Sequence, residues 1–200
     1  MATTTLKFVW LFYVAFILIY WIGYTIFFRK KRDFTNCFIT FLFTLYMLMV
    51  ADVAFFPLPV SWEAGKSILH HNLVPFGYIR DFMMLVHNSP DSFSLGLNLL
   101  VKYVGLEMLM FMPFGFLLPI IKRKKISFGK TLFYSFLLSL TIELIQFSLS
   151  TFVYGFVYRT FDVDDLMLNT LGGIIGWLLF PIFSSTISSL FNLKFDETKN

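Results

Sequence analysis

The chain of 200 residues is 58% hydrophobic, 20% aromatic and only 14% charged, with a mean hydropathy of +0.75. Soluble domains carry about a quarter charged residues, so this composition excludes one and points to an integral membrane protein whose length is taken up by spans of about 20 residues each. The formal net charge of +4 is not a nucleic-acid signal, because the basic residues stand in two short clusters between apolar runs, where they set topology. Cys37 is the only cysteine, which leaves no intramolecular disulfide and no thiolate metal cluster. The expected fold is all-α and integral to the membrane: a bundle of about five transmembrane helices with an outer re-entrant or interfacial segment. One membrane domain over residues 1–200 is expected, with no cofactor and no bound metal.

Residues 8–28 form the first apolar run, followed at once by the RKKR cluster of residues 29–32. A cleaved signal peptide carries its positive charge before the run, so this is a retained helix with its N-terminus outside and the cluster in the cytoplasm. Residues 36–56 form the second span, ended by Pro57 and Pro59, with Asp52 near its outer end. Residues 60–97 are a long outer loop. Its stretch 68–86 is apolar but broken by His70, His71, Asn72, Pro75 and the Arg80-Asp81 pair, a polarity that suits an interfacial or re-entrant segment better than a full span. Adjacent His70 and His71 would point about 100° apart on a helix, which disfavours a shared metal ion.

The third span covers residues 98–121 and carries Glu107 and Pro113. Proline lacks an N–H, so Pro113 frees the carbonyl of Leu109 and either kinks the helix or breaks it before Gly115. The second basic cluster, KRKK at residues 122–125, precedes a fourth span over residues 127–152. In that span Glu143 and Gln146, three residues apart, share a helix face. A fifth span over residues 166–190 follows, and both basic clusters then lie on one side of a membrane with the C-terminus in the cytoplasm.

The most polar stretch near a membrane boundary is RTFDVDDLMLNTLGGIIGW, residues 159–177. It sets Asp162, Asp164 and Asp165 beside Arg159 and directly before an apolar run that carries Asn169 on its first turns. One aspartate suits the start of the helix as a cap; three beside an arginine exceed what capping needs. Gly172 and Gly176 form a small-xxx-small pair that lets another helix approach closely. On the five-span topology these groups, together with Asn72, Glu143 and Gln146, converge on the outer leaflet. A carboxylate at mid-bilayer costs about 2.5–3.5 kcal/mol on insertion scales, so Glu143 needs a partner or carries a proton; Arg159 with Gln146 are the expected partners. The same groups serve either as a polar staple between the fourth and fifth helices or as an outward-facing pocket for a polar headgroup.

Taken in order, NLVPF at residues 72–76, MPFGFLLP at residues 112–119, the Glu143–Gln146 pair and the acidic block resemble the VanZ-like family over about residues 72–180. The chain departs from the family pattern at Glu107, where the family has asparagine six residues before the proline. The resemblance implies a multi-pass protein of the cell membrane, an accessory factor that lowers susceptibility to teicoplanin-type lipoglycopeptides. Those drugs bind the D-Ala-D-Ala end of cell-wall precursors and anchor in the membrane through a lipid tail. Implied partners are the lipid bilayer and a lipoglycopeptide or lipid-linked cell-wall precursor, with no nucleic acid. The competing reading is a membrane enzyme acting on lipid-linked envelope material with Glu143, Asp162 and Asp165 as its working carboxylates, although no G-x-S-x-G, H-E-x-x-H or P-loop is present. A small transporter ranks last, since five spans without a repeat suit one poorly.

The charge clusters make the topology testable. In a Cys37→Ser background, a cysteine at Ser92 is expected to react with a membrane-impermeant maleimide on intact cells, and one at Ser127 to stay unlabelled. The opposite pattern would invert the topology.

Overall fold

The computed structural model describes residues 34–55, 72–154, 159–193 and 195. The expected first span at residues 8–28, the RKKR cluster, the outer loop up to His71 and residues 155–158 lie outside the described residues. The chain divides between Val53 and Ala54 into two compact units. Among the described residues every extended element is helical: α1 (Phe34–Phe55), α2 (Gly77–Asn88), a 3-10 turn (Pro90–Ser92), α3 (Phe93–Lys122), α4 (Phe128–Ser148) with a π-helical continuation (Leu149–Tyr154), and α5 (Val163–Phe191). Four of them, Cys37–Phe55, Phe93–Lys122, Phe128–Phe152 and Val163–Phe191, are long and apolar enough to cross a membrane. Without water in the bilayer core, a helix is the way one segment satisfies its own backbone, and the apolar runs take that solution. The protein is an all-α membrane bundle.

The helices begin and end where backbone chemistry directs. α5 opens on Asp162, whose side chain accepts the N–H of Asp164 at 2.8 Å. It closes on Asn192 in the left-handed region, φ 51°. α3 closes the same way on Arg123, φ 50°, immediately within the KRKK cluster. Pro113 and Pro119 both lie inside α3, and the helix runs through them unbroken. The break that Pro113 permits is therefore not taken.

The stretch expected to be an interfacial or re-entrant segment is described from residue 72 onward. Its helix starts only at Gly77, because Pro75 and a left-handed Phe76 (φ 64°) interrupt the chain before it. α2 has 12 residues, about 18 Å of helix, against a hydrocarbon core of about 30 Å. It does not cross. Phe82 stacks edge-on against Phe93, ring centroids 5.9 Å apart, which folds α2 back onto the start of α3. Ile79, Met83 and Met84 remain exposed, as in a helix lying along a membrane surface.

In the second unit, α3 and α5 make the most extensive helix contact, followed by α4 and α5. Both rest on small residues. A methyl group at Gly172 would strike the Met108 carbonyl, one at Gly176 the Met112 carbonyl, and one at Gly115 the Gly173 carbonyl. The two backbones touch directly, which gives dispersion contact to helices that lipid gives no hydrophobic reason to associate. On α4, Thr131, Ser135 and Ser139 are fully buried at successive i, i+4 positions. Ser135 occupies the space that a methyl group on Gly173 would need.

Overpacking of such a contact costs about 1–3 kcal/mol. Gly172→Ala and Gly176→Ala are each expected to lower the detergent unfolding midpoint. Gly105 and Gly129 have no neighbour within 4 Å of a built Cβ, so Gly105→Ala and Gly129→Ala are expected to hold or raise it, as the better helix former does. Equal effects from all four would remove the close-packing argument.

Candidate functional site

The site begins at a junction between two sequence segments 90 residues apart. Asn72 and Asp162 form an isolated parallel β-bridge: Asn72 N–H donates to the Phe161 carbonyl and Val163 N–H to the Asn72 carbonyl, both at 3.0 Å. The Asn72 side-chain amide then donates to Asp162 Oδ1 at 2.9 Å and Asp164 Oδ2 at 3.1 Å. Gly77 sits against it so closely that a Cβ there would come within 2.7 Å of Asn72 Nδ2.

Asp164 is 0% exposed and accepts three donors. Besides Asn72, the Phe76 N–H reaches Oδ1 at 2.6 Å and the Tyr78 N–H reaches Oδ2 at 3.2 Å. The latter two belong to the unpaired backbone at the start of α2, so a carboxylate on α5 caps α2 from outside. The left-handed Phe76 costs roughly 1–2 kcal/mol for a residue with a Cβ, and its reward is the aim of that N–H at Asp164. A buried carboxylate needs such donors, since charge without them is strongly disfavoured in low dielectric.

The remaining acids are each engaged differently. Asp162 caps α5, and burial pushes its carboxyl above the usual carboxylate range against the opposing pull of the Asp164 N–H and the Asn72 amide. Tyr103, on α3, donates its hydroxyl to Asp165, and its ring lies 5.9 Å from that of Tyr78. Glu143, 2% exposed, accepts the Asp162 N–H at 2.9 Å. Glu107 lies one turn below Tyr103, where the charges of Asp165, Arg159 and Asp162 act on it. The position that departs from the family pattern thus adds a carboxylate to the acidic cluster.

Of the expected partners of Glu143, Gln146 is engaged elsewhere. Gln146 donates to the Ala54 carbonyl at 2.8 Å, and the charge of Arg159 acts on Glu107 and Asp165. The Arg159 backbone is hooked to α4's π-helical end, where the buried Ser150 hydroxyl donates to its carbonyl at 2.9 Å. Asn169 donates to Ser139 Oγ at 3.1 Å, with its own carbonyl oxygen buried and unpartnered. Tyr103 and Ser139 were missed by sequence reasoning, yet each stands four residues before a flagged glutamate, on the same helix face.

Beside this network lies a cavity of about 370 Å³, lined among others by Asn72, Tyr78, Asp81, Tyr103, Asp162 and Asp164. Of the expected pocket residues, Asn72, Asp162 and Asp164 line it; Glu143, Gln146, Arg159, Asp165 and Asn169 do not. Among the described residues no three His, Cys, Asp or Glu side chains are grouped to hold a metal ion.

The fold and this junction define a multi-pass helical membrane protein with a carboxylate-rich polar site at one end of its bundle. Residues 41–184 match the VanZ/LLP1 family, and the chain belongs to that family. It is similar to Protein VanZ of Enterococcus faecium, 28% identical over 142 residues that cover 71% of this chain and 70% of that protein. No solved structure matches it.

Two outcomes follow from the hydrogen bonds. Asp164→Leu orphans three donors, at about 1–3 kcal/mol each, so it is expected to abolish recovery of folded protein, whereas exposed Asp81→Asn changes stability by less than about 0.5 kcal/mol. For Asp162 the folded state holds its proton more tightly than the unfolded chain does. Its contribution therefore favours folding at acid pH and declines as pH rises from 3.8 through the raised folded value. Asp162→Asn keeps the cap and is expected to flatten the slope of thermal stability against pH in that range.

Proposed function

We propose that this chain is an accessory protein of the cell membrane that lowers susceptibility to teicoplanin-type lipoglycopeptides, by binding the drug or a lipid-linked cell-wall precursor at the carboxylate site. The observation that carries the reading is the gathering of Asp162, Asp164, Asp165, Glu143 and Glu107 around one polar junction, with a cavity beside it. By the positive-inside rule the KRKK end of α3 and α4 is cytoplasmic. The acidic junction, at the other end of the same helices, then faces outward, with the N-terminus outside and the C-terminus inside. An outward cavity edged by carboxylates and by Tyr78 and Tyr103 suits an amine through charge and cation–π attraction. The exposed apolar face of α2 suits a lipid tail lying in the same boundary layer.

Binding is favoured over the enzyme reading by what the acids already do. Asp162 caps a helix, Asp164 takes three N–H donors and Asp165 accepts Tyr103. This leaves less freedom for Asp162, Asp165 and Glu143 to work as an acid–base set.

The test is teicoplanin and vancomycin susceptibility with and without the gene, alongside the pool of cell-wall precursors. Greater teicoplanin sensitivity without the gene, at unchanged precursors, is expected; altered precursor structure would favour an enzyme. Glu143→Gln sharpens the result, because an amide oxygen can still accept the Asp162 N–H while the charge is gone. It is expected to abolish protection at nearly unchanged protein abundance. Full protection by the variant would show that the charge of Glu143 has no part in the function.

A further inference from the structure

The described structure holds a second cavity, of about 550 Å³, at the opposite end of the bundle. The residues that build it come from three places. Trp177, Phe180, Ser184, Ser185 and Ser188 stand on α5, Lys125 and Ile126 follow the end of α3, and Leu193 and Phe195 follow the end of α5. The left-handed Asn192 ends α5 and turns the chain back on it, with Leu193 buried at 4% exposure and Phe195 edge-on to Phe180 at 5.2 Å. Trp177 is held by its indole N–H, which donates to the Ile126 carbonyl at 2.6 Å, and its ring packs against Phe128. One wall is aromatic and rigid, while Lys125 and the serines bring an ammonium and hydroxyl donors to the same space.

This combination lies beside the KRKK cluster at residues 122–125, where spanning helices leave the membrane. A soluble anion would find little use for an aromatic wall, and a neutral lipid little for a cluster of cations. We propose that this cavity is a binding site for an anionic phospholipid of the leaflet at the basic end. The phosphate meets Lys125 and the hydroxyls of Ser185 and Ser188, and the upper part of an acyl chain lies against Trp177, Phe180 and Phe195. The site is separate from the carboxylate junction and does not depend on the function proposed for it.

Trp177 is its own reporter. With Trp10, Trp21 and Trp62 replaced by phenylalanine, the protein is placed in phosphatidylcholine nanodiscs that carry brominated phosphatidylglycerol or brominated phosphatidylcholine at the same mole fraction. Stronger quenching of Trp177 by the anionic lipid is expected. Lys125→Gln is expected to reduce that preference by about fivefold, the factor that one lysine beside an anionic headgroup contributes. Lys125 is exposed, and Lys125→Gln is compared at helix content equal to that of the parent; Ser188→Phe, which fills the cavity, is expected to abolish the preference in protein of unchanged helix content. Lys130→Gln, a basic residue outside the lining, is expected to leave the preference as it was. Equal quenching by the two lipids, or an equal effect of Lys130→Gln and Lys125→Gln, would overturn the site in favour of diffuse attraction to the membrane. Loss of the preference on adding inorganic phosphate would assign the cavity to a soluble anion and overturn the lipid.

Discussion

A carboxylate without exposed surface has to find its hydrogen-bond donors inside the protein, and Asp164 meets that demand with the Asn72 amide and the N–H groups of Phe76 and Tyr78. In water any of these donors would have another partner. Around a fully buried carboxylate no water is on offer, so one interaction holds several elements in place. It ties the turn before α2 to the start of α5, fixes where α2 begins, and keeps a left-handed phenylalanine that would otherwise be unfavourable. Asn72, bridging Asp162 and Asp164 while its backbone pairs with Phe161 and Val163, stitches the same junction a second time.

The junction is carried by helices that pack backbone to backbone. Gly172 and Gly176 let the Met108 and Met112 carbonyls of α3 come against α5, and a row of small hydroxyl residues on α4 does the same from the other side. In lipid, larger side chains at these positions would have brought no compensating hydrophobic gain. The closeness also shapes the polar junction. It brings Tyr103 on α3 within hydrogen-bond reach of Asp165 on α5, and Glu143 on α4 to the Asp162 N–H, so three helices and the turn before α2 share one small volume of polar groups.

The chemistry is divided along the bundle axis. Carboxylates gather where α5 begins, and lysines with Arg123 where α3 ends and α4 begins. Such a division serves insertion, since cationic segments resist translocation. It also sets different chemistry at the two ends: carboxylates with tyrosines at one, a lysine with serine hydroxyls and aromatic rings at the other. Each end has a cavity of its own.

Much of the fold was legible in the sequence, because an apolar run in lipid has essentially one backbone solution. The spans at α1, α3, α4 and α5 follow from that; that an aspartate caps α5 and that Gly172 and Gly176 allow a close approach were legible as well. The family was legible too, from short blocks in a fixed order. What each acid does was not. Asp162, Asp164 and Asp165 read alike in sequence, yet one caps a helix, one gathers three donors and one accepts a tyrosine. Gln146 read as a partner for Glu143 and instead meets Ala54. Helical periodicity tells which neighbours share a face, and so points from Glu107 to Tyr103. It says nothing of donors brought from 86 to 92 residues away, as they are to Asp164. That choice belongs to the tertiary structure, because a hydrogen bond depends on where two chain segments meet in space.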